Sequence, residues 1–135
     1  NRLHLCHVFT VDDLKYLHRG GRVSKTAAIA GSILGIKPLL HVDNEGHLIP
    51  VGKIRGRKQS IEKLVDMMCE RMGNWDNSTV AVCHGDCLSD AEYAADLMRK
   101  KLGKKTTVHI CYTGAVIGSH SGPGTLALFF MGDQR

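Results

Sequence analysis

An eight-residue polar run, from Gly118 to Thr125, is the feature that most constrains how this chain of 135 residues folds. It holds three glycines, one proline, two serines, a threonine and a histidine, and apolar stretches flank it at 115–117 and 126–130. The run predicts a glycine-rich turn between two buried segments. Glycine permits a close approach of the backbone to a ligand, and successive N–H groups in such a turn can surround an anion. A tight loop that only needs unusual φ values is the alternative.

Polar side chains in two places could bind an anion. His120 adds a donor that can carry charge near neutral pH, and Ser119 and Ser121 add short hydroxyls. In the stretch 20–24, Arg22 stands just before a predicted helix N-terminus, where a cation opposes the helix dipole. An anion bound there would instead be attracted by both the guanidinium and the free N–H groups. A solvated arginine after a glycine turn is the alternative.

The charge of the chain leaves several classes of partner open. The net charge is +5 with neutral histidines, which suits nucleic acid, anionic lipid, an acidic ligand or an acidic protein. Aromatic residues make up 5% of the chain, and none is interleaved with a basic run. This argues against a platform for single-stranded nucleic acid, so we expect no nucleic-acid partner. Without an apolar run of 18 residues, we also expect no stable membrane insertion.

The cysteines and serines do not form a recognisable catalytic or metal motif. Five cysteines is an odd number, which predicts reduced, cytoplasmic thiols rather than a disulfide framework. The spacing of Cys83 and Cys87 differs from the usual two-residue gap of zinc sites, so we expect no metal. Position 119 is Ser where the G-x-S-x-G motif around Ser121 needs Gly, so we expect no hydrolase.

Periodicity and turn residues predict one domain over residues 1–135. The predicted strands are 3–9, 36–42, 48–54, 79–83, 106–112 and 126–131. The predicted helices are 11–18, capped by Thr10, then 25–34, 58–72, and one that a capping box at Ser89 and Glu92 opens and that ends at Leu102. Pro50 predicts an edge strand. The order β-α-α-β-β-α-β-α-β-β predicts an α/β (α+β) fold with a mixed sheet covered by helices.

A basic cluster lies at the end of the predicted edge strand. Residues 53–58 contain four cations, Lys53, Arg55, Arg57 and Lys58. Such a cluster is typical of a solvated face. The sharper interpretation is a docking patch for an acidic partner, in which Arg55 and Arg57 act as bidentate donors.

Four blocks of the sequence, in order, resemble the DegV family of bacterial fatty-acid-binding proteins. They lie at 11–24, 34–40, 53–58 and 117–124 and together cover nearly all of the chain. The resemblance implies a two-domain cytoplasmic protein that holds a long-chain fatty acid between its domains and needs no cofactor. This chain resembles the C-terminal domain only, without the N-terminal domain. Family members present the bound fatty acid to a separate fatty acid kinase and supply no phosphoryl-transfer machinery, so the resemblance implies that this chain is a carrier and not an enzyme.

The resemblance also implies roles for particular residues. Arg22 and His120 match the arginine and histidine that lie near the fatty-acid head group in the family, and we expect Ser119, Ser121 and Gly21 beside them. Ile29 and Ile33 could line the acyl chain, although core packing explains them equally well.

The basic hairpin resembles the surface by which the carrier meets its kinase, here Arg55, Arg57 and Lys58. The alternative function is a protein-interaction module that docks an acidic partner through this hairpin, without independent ligand binding.

Overall fold

Six strands form one mixed sheet in the computed structural model, which describes residues 1–25, 34–103, 105–133 and 135. The strands are β1 (Leu5–Thr10), β2 (Ile36–Val42), β3 (Leu48–Arg55), β4 (Thr79–His84), β5 (Thr107–Tyr112) and β6 (Leu126–Met131). Their order across the sheet is β3-β2-β1-β6-β4-β5. The β4–β5 pair is parallel, and the other neighbours are antiparallel.

Four α-helices accompany the sheet in the described part of the chain. They are α1 (Lys15–Arg19), α2 (Arg57–Arg71), α3 (Leu88–Leu102) and α4 (Ala115–Ser121), and a 3-10 turn at Arg2–His4 precedes β1. Within the described ranges, no helix is long and apolar enough to cross a membrane. The mixed sheet with helices confirms the predicted fold class, but the predicted element order lacks α4, which lies between β5 and β6. The bounds of β2 and β6 are those predicted, and β3 is an edge strand, as Pro50 indicated.

The two faces of the sheet are covered differently. Side chains alternate along a strand, so Val8 of β1 joins a core cluster with Leu64 of α2 and Met98 of α3. The next residue, Phe9, points the other way and belongs to a second cluster with Leu17 of α1. Helices α2 and α3 therefore cover one face, and the short α1 covers part of the other.

Two predicted helix starts are wrong, and one predicted helix is not described. Instead of beginning at residue 11 under a Thr10 cap, α1 begins at Lys15, because the Asp13 carboxylate accepts the Lys15 N–H at 2.8 Å and turns the chain there. Helix α3 begins before the predicted capping box: Cys87 is its N-cap, without a side-chain cap bond, and Ser89 lies inside the first turn. The predicted helix 25–34 lies almost wholly outside the described residues.

Candidate functional site

A pocket of about 430 Å³ opens on the face of the sheet opposite α2 and α3. Its floor is made by inward side chains of β1 and β6, including Phe9 and Phe129. Apolar residues from α1 and α4, among them Leu17 and Ile117, form its walls. The polar side chains that line it include Arg22, His120 and Ser121. An apolar cavity with a few polar groups is the usual form of a small-molecule site.

Three predicted site residues, Arg22, His120 and Ser121, therefore meet around one cavity although they are distant in sequence. Among the residues that the structure describes, Ser119 and Gly21 are not part of the pocket wall. Ser119 is exposed, and its hydroxyl donates to the Val116 carbonyl at 2.8 Å. The predicted lining residues Ile29 and Ile33 lie outside the described part of the chain.

The turn after α1 touches His120 through Gly20. A Cβ atom at Gly20 would overlap Nδ1 of the His120 ring and would lie 3.2 Å from its Cγ. Position 20 therefore has no room for a side chain while His120 keeps its place. The glycine doublet predicts Gly21 as the site residue, whereas Gly20, its neighbour in the same doublet, makes the contact with His120. Gly21 has φ +72°, the left-handed conformation that lets the chain turn toward Arg22.

Arg22 lies over the same turn with its side chain exposed. One guanidinium N–H group, on Nη1, donates to the Gly20 carbonyl, and the backbone N–H of Arg22 donates to the Leu17 carbonyl at 2.8 Å. These bonds hold the arginine at the end of α1 and beside the pocket. A guanidinium has five N–H donors, so a head group could be bound without breaking the bond to Gly20.

The glycine-rich run differs from the predicted turn. Its first half is the C-terminal part of α4, and the preceding Val116 and Ile117 are 75% and 64% exposed, so the predicted buried segment at 115–117 is wrong. Residues 115–121 form the short helix α4, which lines the pocket instead of entering the core. The N–H groups of Gly122 and Gly124 donate to the Gly118 and Gly85 carbonyls at 2.8 and 2.7 Å. These two donors therefore serve the fold rather than an anion.

The glycines of this run are needed for close packing against α1 and the segment before it. Gly122 has φ +81°, and a Cβ atom there would lie 2.5 Å from Cδ2 of the Tyr16 ring. A Cβ atom at Gly124 would overlap the Asp12 carboxylate. These contacts set the position of α1 relative to α4, and with it the position of Arg22 relative to His120.

Ser121 is buried in the pocket wall. Its hydroxyl donates to the Ile117 carbonyl at 2.9 Å, one turn back in α4. The hydroxyl proton is used in this bond, but the oxygen lone pairs can still accept a hydrogen bond.

His7 contributes an uncharged ring to the floor of the pocket. Burial, and then the positive charge of Arg135, lowers the pKa of His7 below its ordinary value of 6.5. The ring packs edge-on against Phe129, with centroids 5.1 Å apart. The floor is therefore neutral and largely apolar near pH 7, which suits a hydrocarbon.

Arg57 is turned into the molecule, in contrast to its neighbours in the basic cluster. Its Nε donates to the Asp90 carboxylate at 2.8 Å, and its Nη2 donates to the Gly124 carbonyl at 2.7 Å. Its Nη1 lies 3.6 Å from the Asp12 carboxylate. Arg57 thus joins the start of α3, the loop before β6 and the segment after β1.

Arg55 and Lys58, the other two predicted docking residues, are exposed. Arg55 ends the edge strand β3, and the Lys58 ammonium lies 5.3 Å from the centre of the Tyr93 ring. The docking role of Arg55, Arg57 and Lys58 stays a prediction. The side-chain geometry favours Arg55 and Lys58, because the guanidinium of Arg57 has partners within the chain.

Comparisons with known proteins find relatives that match nearly the whole chain. A family model described as an uncharacterised protein of the DegV family matches residues 1–133. A DegV domain-containing protein from Clostridium perfringens is 47% identical over 135 residues, which are 100% of this chain and 46% of that protein.

Solved structures show the same fold. A fatty acid binding DegV family protein from Streptococcus agalactiae has a TM-score of 0.83 at 30% identity and covers 97% of this chain and 46% of its own. DegV from Bacillus subtilis, a fatty acid binding protein, has a TM-score of 0.72 at 34% identity, covering 96% and 45%. The chain therefore spans about half the length of these relatives.

Proposed function

Because this chain belongs to the DegV family, we propose that it binds a long-chain fatty acid, with the carboxylate at Arg22 and His120 and the acyl chain in the apolar pocket. The observation that carries the proposal is the convergence of Arg22, His120 and Ser121 on one pocket of about 430 Å³ with an aromatic and aliphatic wall. This volume falls within the range of about 300–1,000 Å³ for small-molecule sites. Relatives described as fatty-acid-binding support the choice of ligand.

The polar side of the pocket fits a carboxylate. A partly buried anion needs a charged or hydrogen-bonding partner, and a guanidinium supplies charge-assisted bonds to both carboxylate oxygens. Arg22 provides that group at the pocket rim, while His120, held against Gly20, adds a ring nitrogen. Ser121 can accept but already donates to Ile117, so we assign it a minor role. Ser119 and Gly21 support the turn geometry in this proposal.

The apolar side fits the acyl chain. Phe9 and Phe129 on the floor and Val116 and Ile117 on the α4 wall would lose water on binding. Each buried methylene contributes about 0.8 kcal/mol, so several of them outweigh the cost of ordering the chain. The high exposure of Val116 and Ile117 means that these two side chains gain most from a bound hydrocarbon.

In this proposal the chain is the C-terminal domain of a two-domain carrier. An N-terminal domain would close the pocket and add hydroxyl groups for the carboxylate. The carrier would act in the cytoplasm and present the fatty acid to a fatty acid kinase without transferring a phosphoryl group itself. The support is the family membership and the half-length coverage of the relatives.

A role in docking an acidic partner is the second candidate function. Lys53, Arg55 and Lys58 are exposed on and beside the edge strand β3, so their charges can reach a partner. In the carrier proposal that partner is the kinase. As an interaction module alone, the chain would bind the partner equally well with and without lipid.

The deciding experiment is native mass spectrometry of this chain with added long-chain fatty acid, followed by titration of the variants Arg22→Ala and His120→Ala. Arg2→Ala serves as the matched control, because Arg2 is exposed and lies outside the pocket wall. A lost charge-assisted hydrogen bond costs about 1.5–3 kcal/mol, which weakens binding by roughly 10- to 150-fold. Equal affinity of Arg22→Ala, His120→Ala and Arg2→Ala for the fatty acid would contradict the assignment.

A further inference from the structure

Two cysteine side chains face each other across the parallel strands β4 and β5. Cys83 and Cys111 occupy paired positions in the strand register, and their sulfur atoms lie 2.7 Å apart. Both are thiols. We propose that Cys83 and Cys111 are a reversible oxidation site, at which a low-molecular-weight disulfide converts the pair into a cross-strand disulfide in the wall of the pocket.

The backbone already has the spacing that this bond requires. Hydrogen-bonded strands lie about 4.7–4.9 Å apart, and disulfides join Cα atoms that are usually about 4.4–6.8 Å apart. Because the two residues are direct partners in the ladder, their side chains leave the same face of the sheet. Closing the bond therefore needs side-chain rotation rather than a shift of either strand.

The surroundings of the pair separate it from the other cysteines. Cys87, only four residues from Cys83, donates its thiol proton to the Thr125 carbonyl at 3.3 Å and lies near the Arg57 guanidinium. Cys69 lies on α2, against the cluster on the opposite face of the sheet. The geometry therefore selects one cysteine pair from the five cysteines of the chain.

The different exposure of the two thiols indicates the order of the chemistry. Cys111 is exposed on the edge strand β5 and can reach an oxidant in solution, whereas Cys83 is half-buried. The Cys111 thiolate attacks one sulfur of the oxidant and expels the first small thiolate. The Cys83 thiolate then attacks the Cys111 sulfur and expels the second. Two protein thiols are oxidised, one small disulfide is reduced to two thiols, and the two protons pass to the departing thiolates.

Burial, together with the hydrogen bond to Cys111 and its nearby charge, raises the pKa of Cys83 to about 12. A thiol with so high a pKa is a poor first nucleophile near neutral pH. This agrees with Cys111 as the attacking group and Cys83 as the resolving group.

Cys83 lies in the wall of the pocket that also contains His120 and Arg22. The oxidation site does not depend on the identity of the ligand, because the bond joins two residues of this chain and no lipid takes part. If the chain does not bind fatty acid, the proposal of an oxidation site is unaffected. If Cys83 and Cys111 do not become oxidised, the proposal of a lipid site is unaffected.

The test is oxidation of the 135-residue chain with oxidised glutathione, followed by alkylation under denaturing conditions and peptide mapping. We expect two of the five thiols to be lost and one peptide pair, containing Cys83 and Cys111, to be linked. Dithiothreitol should restore all five thiols. Cys111→Ser should abolish the linkage, and the matched control Cys69→Ser should retain it.

Three results would overturn the proposal: five thiols left after oxidation, a bridge between other cysteines, or a glutathione adduct that stays on Cys111 while Cys83 remains reduced. The unmodified chain decides between these outcomes without any variant. A serine variant that fails to fold, as judged by circular dichroism, therefore does not affect the test.

Discussion

The imidazole of His120 packs against the backbone of Gly20 at the C-terminal end of α1. It leaves no room for a methyl group on Gly20. This contact brings α4 to the turn that carries Arg22, so the two residues proposed to bind the carboxylate share a single structural support. A change at Gly20 should therefore affect the site without removing any of its functional groups.

Gly20→Ala should displace His120 and weaken fatty-acid binding. Overpacking at a crowded position costs about 1–3 kcal/mol, and the ring can relieve the overlap only by leaving its present position. We expect a lower Tm and at least a several-fold weaker affinity, measured by thermal unfolding and by lipid titration. The control is Gly118→Ala, because a Cβ atom at Gly118 meets nothing within 4 Å and Gly118 does not line the pocket. An affinity of Gly20→Ala equal to that of Gly118→Ala would argue against this coupling.

Arg57→Ala should destabilise the fold more than Arg55→Ala does. Removing Arg57 leaves the Asp90 carboxylate and the Gly124 carbonyl without their partner, a loss of about 1–3 kcal/mol for a partly buried group. Arg55 is exposed, so its removal should change the free energy of unfolding by less than about 0.5 kcal/mol. Urea unfolding of both variants measures the difference. Equal midpoints would show that the Arg57 network contributes nothing measurable.

Arg55 and Arg57 also show which structural features the sequence does not predict. They lie two positions apart in one basic cluster, and the cluster predicts that both belong to one docking surface. Packing turned Arg57 toward Asp90, which lies 33 residues farther along the chain, and no local pattern contains that information. The bounds of strands β2 and β6 agree with the prediction because each is a largely apolar segment with glycine or other turn residues close to both ends.

The candidate site likewise combines features that the sequence predicts with features that only tertiary contacts determine. The residues Arg22 and His120 could be selected from their motifs, and the resemblance to the DegV family is confirmed. The short helices α1 and α4 could not be bounded, because contacts such as those of Tyr16 with Gly122 decide where they lie. The pairing of Cys83 with Cys111 depends on the register of two parallel strands joined through α3, which spacing alone does not specify.

Stability should fall as the pH drops below about 6.5, through His7 on the floor of the pocket. Burial, and then the charge of Arg135, lowers the pKa of His7 in the folded chain, so the unfolded chain binds more protons. The stabilising contribution is complete above the unfolded pKa near 6.5 and is lost as the pH falls from there through the lower folded pKa. Urea unfolding between pH 7.5 and 4.5 (about three units spanning that window) measures the slope.

His7→Gln should flatten this pH dependence, whereas His109→Gln should not. His109 serves as the control because it is exposed on the edge strand β5. An unchanged slope in His7→Gln would mean that protonation of His7 does not contribute to acid destabilisation.

Charge reversal at the exposed positions of the basic cluster should weaken the proposed docking to a fatty acid kinase. Arg55→Glu and Lys58→Glu place an acidic group on a surface proposed to meet an acidic partner, so association should slow and its salt dependence should diminish. The measurement is surface plasmon resonance against the fatty acid kinase at two ionic strengths, with Lys100→Glu as the control because Lys100 is exposed on α3. Because Arg57 is bonded within the chain, Arg57→Glu should act through lost stability rather than through the salt dependence. Binding that is equally strong in Arg55→Glu, Lys58→Glu and Lys100→Glu would remove the basic cluster from the interface.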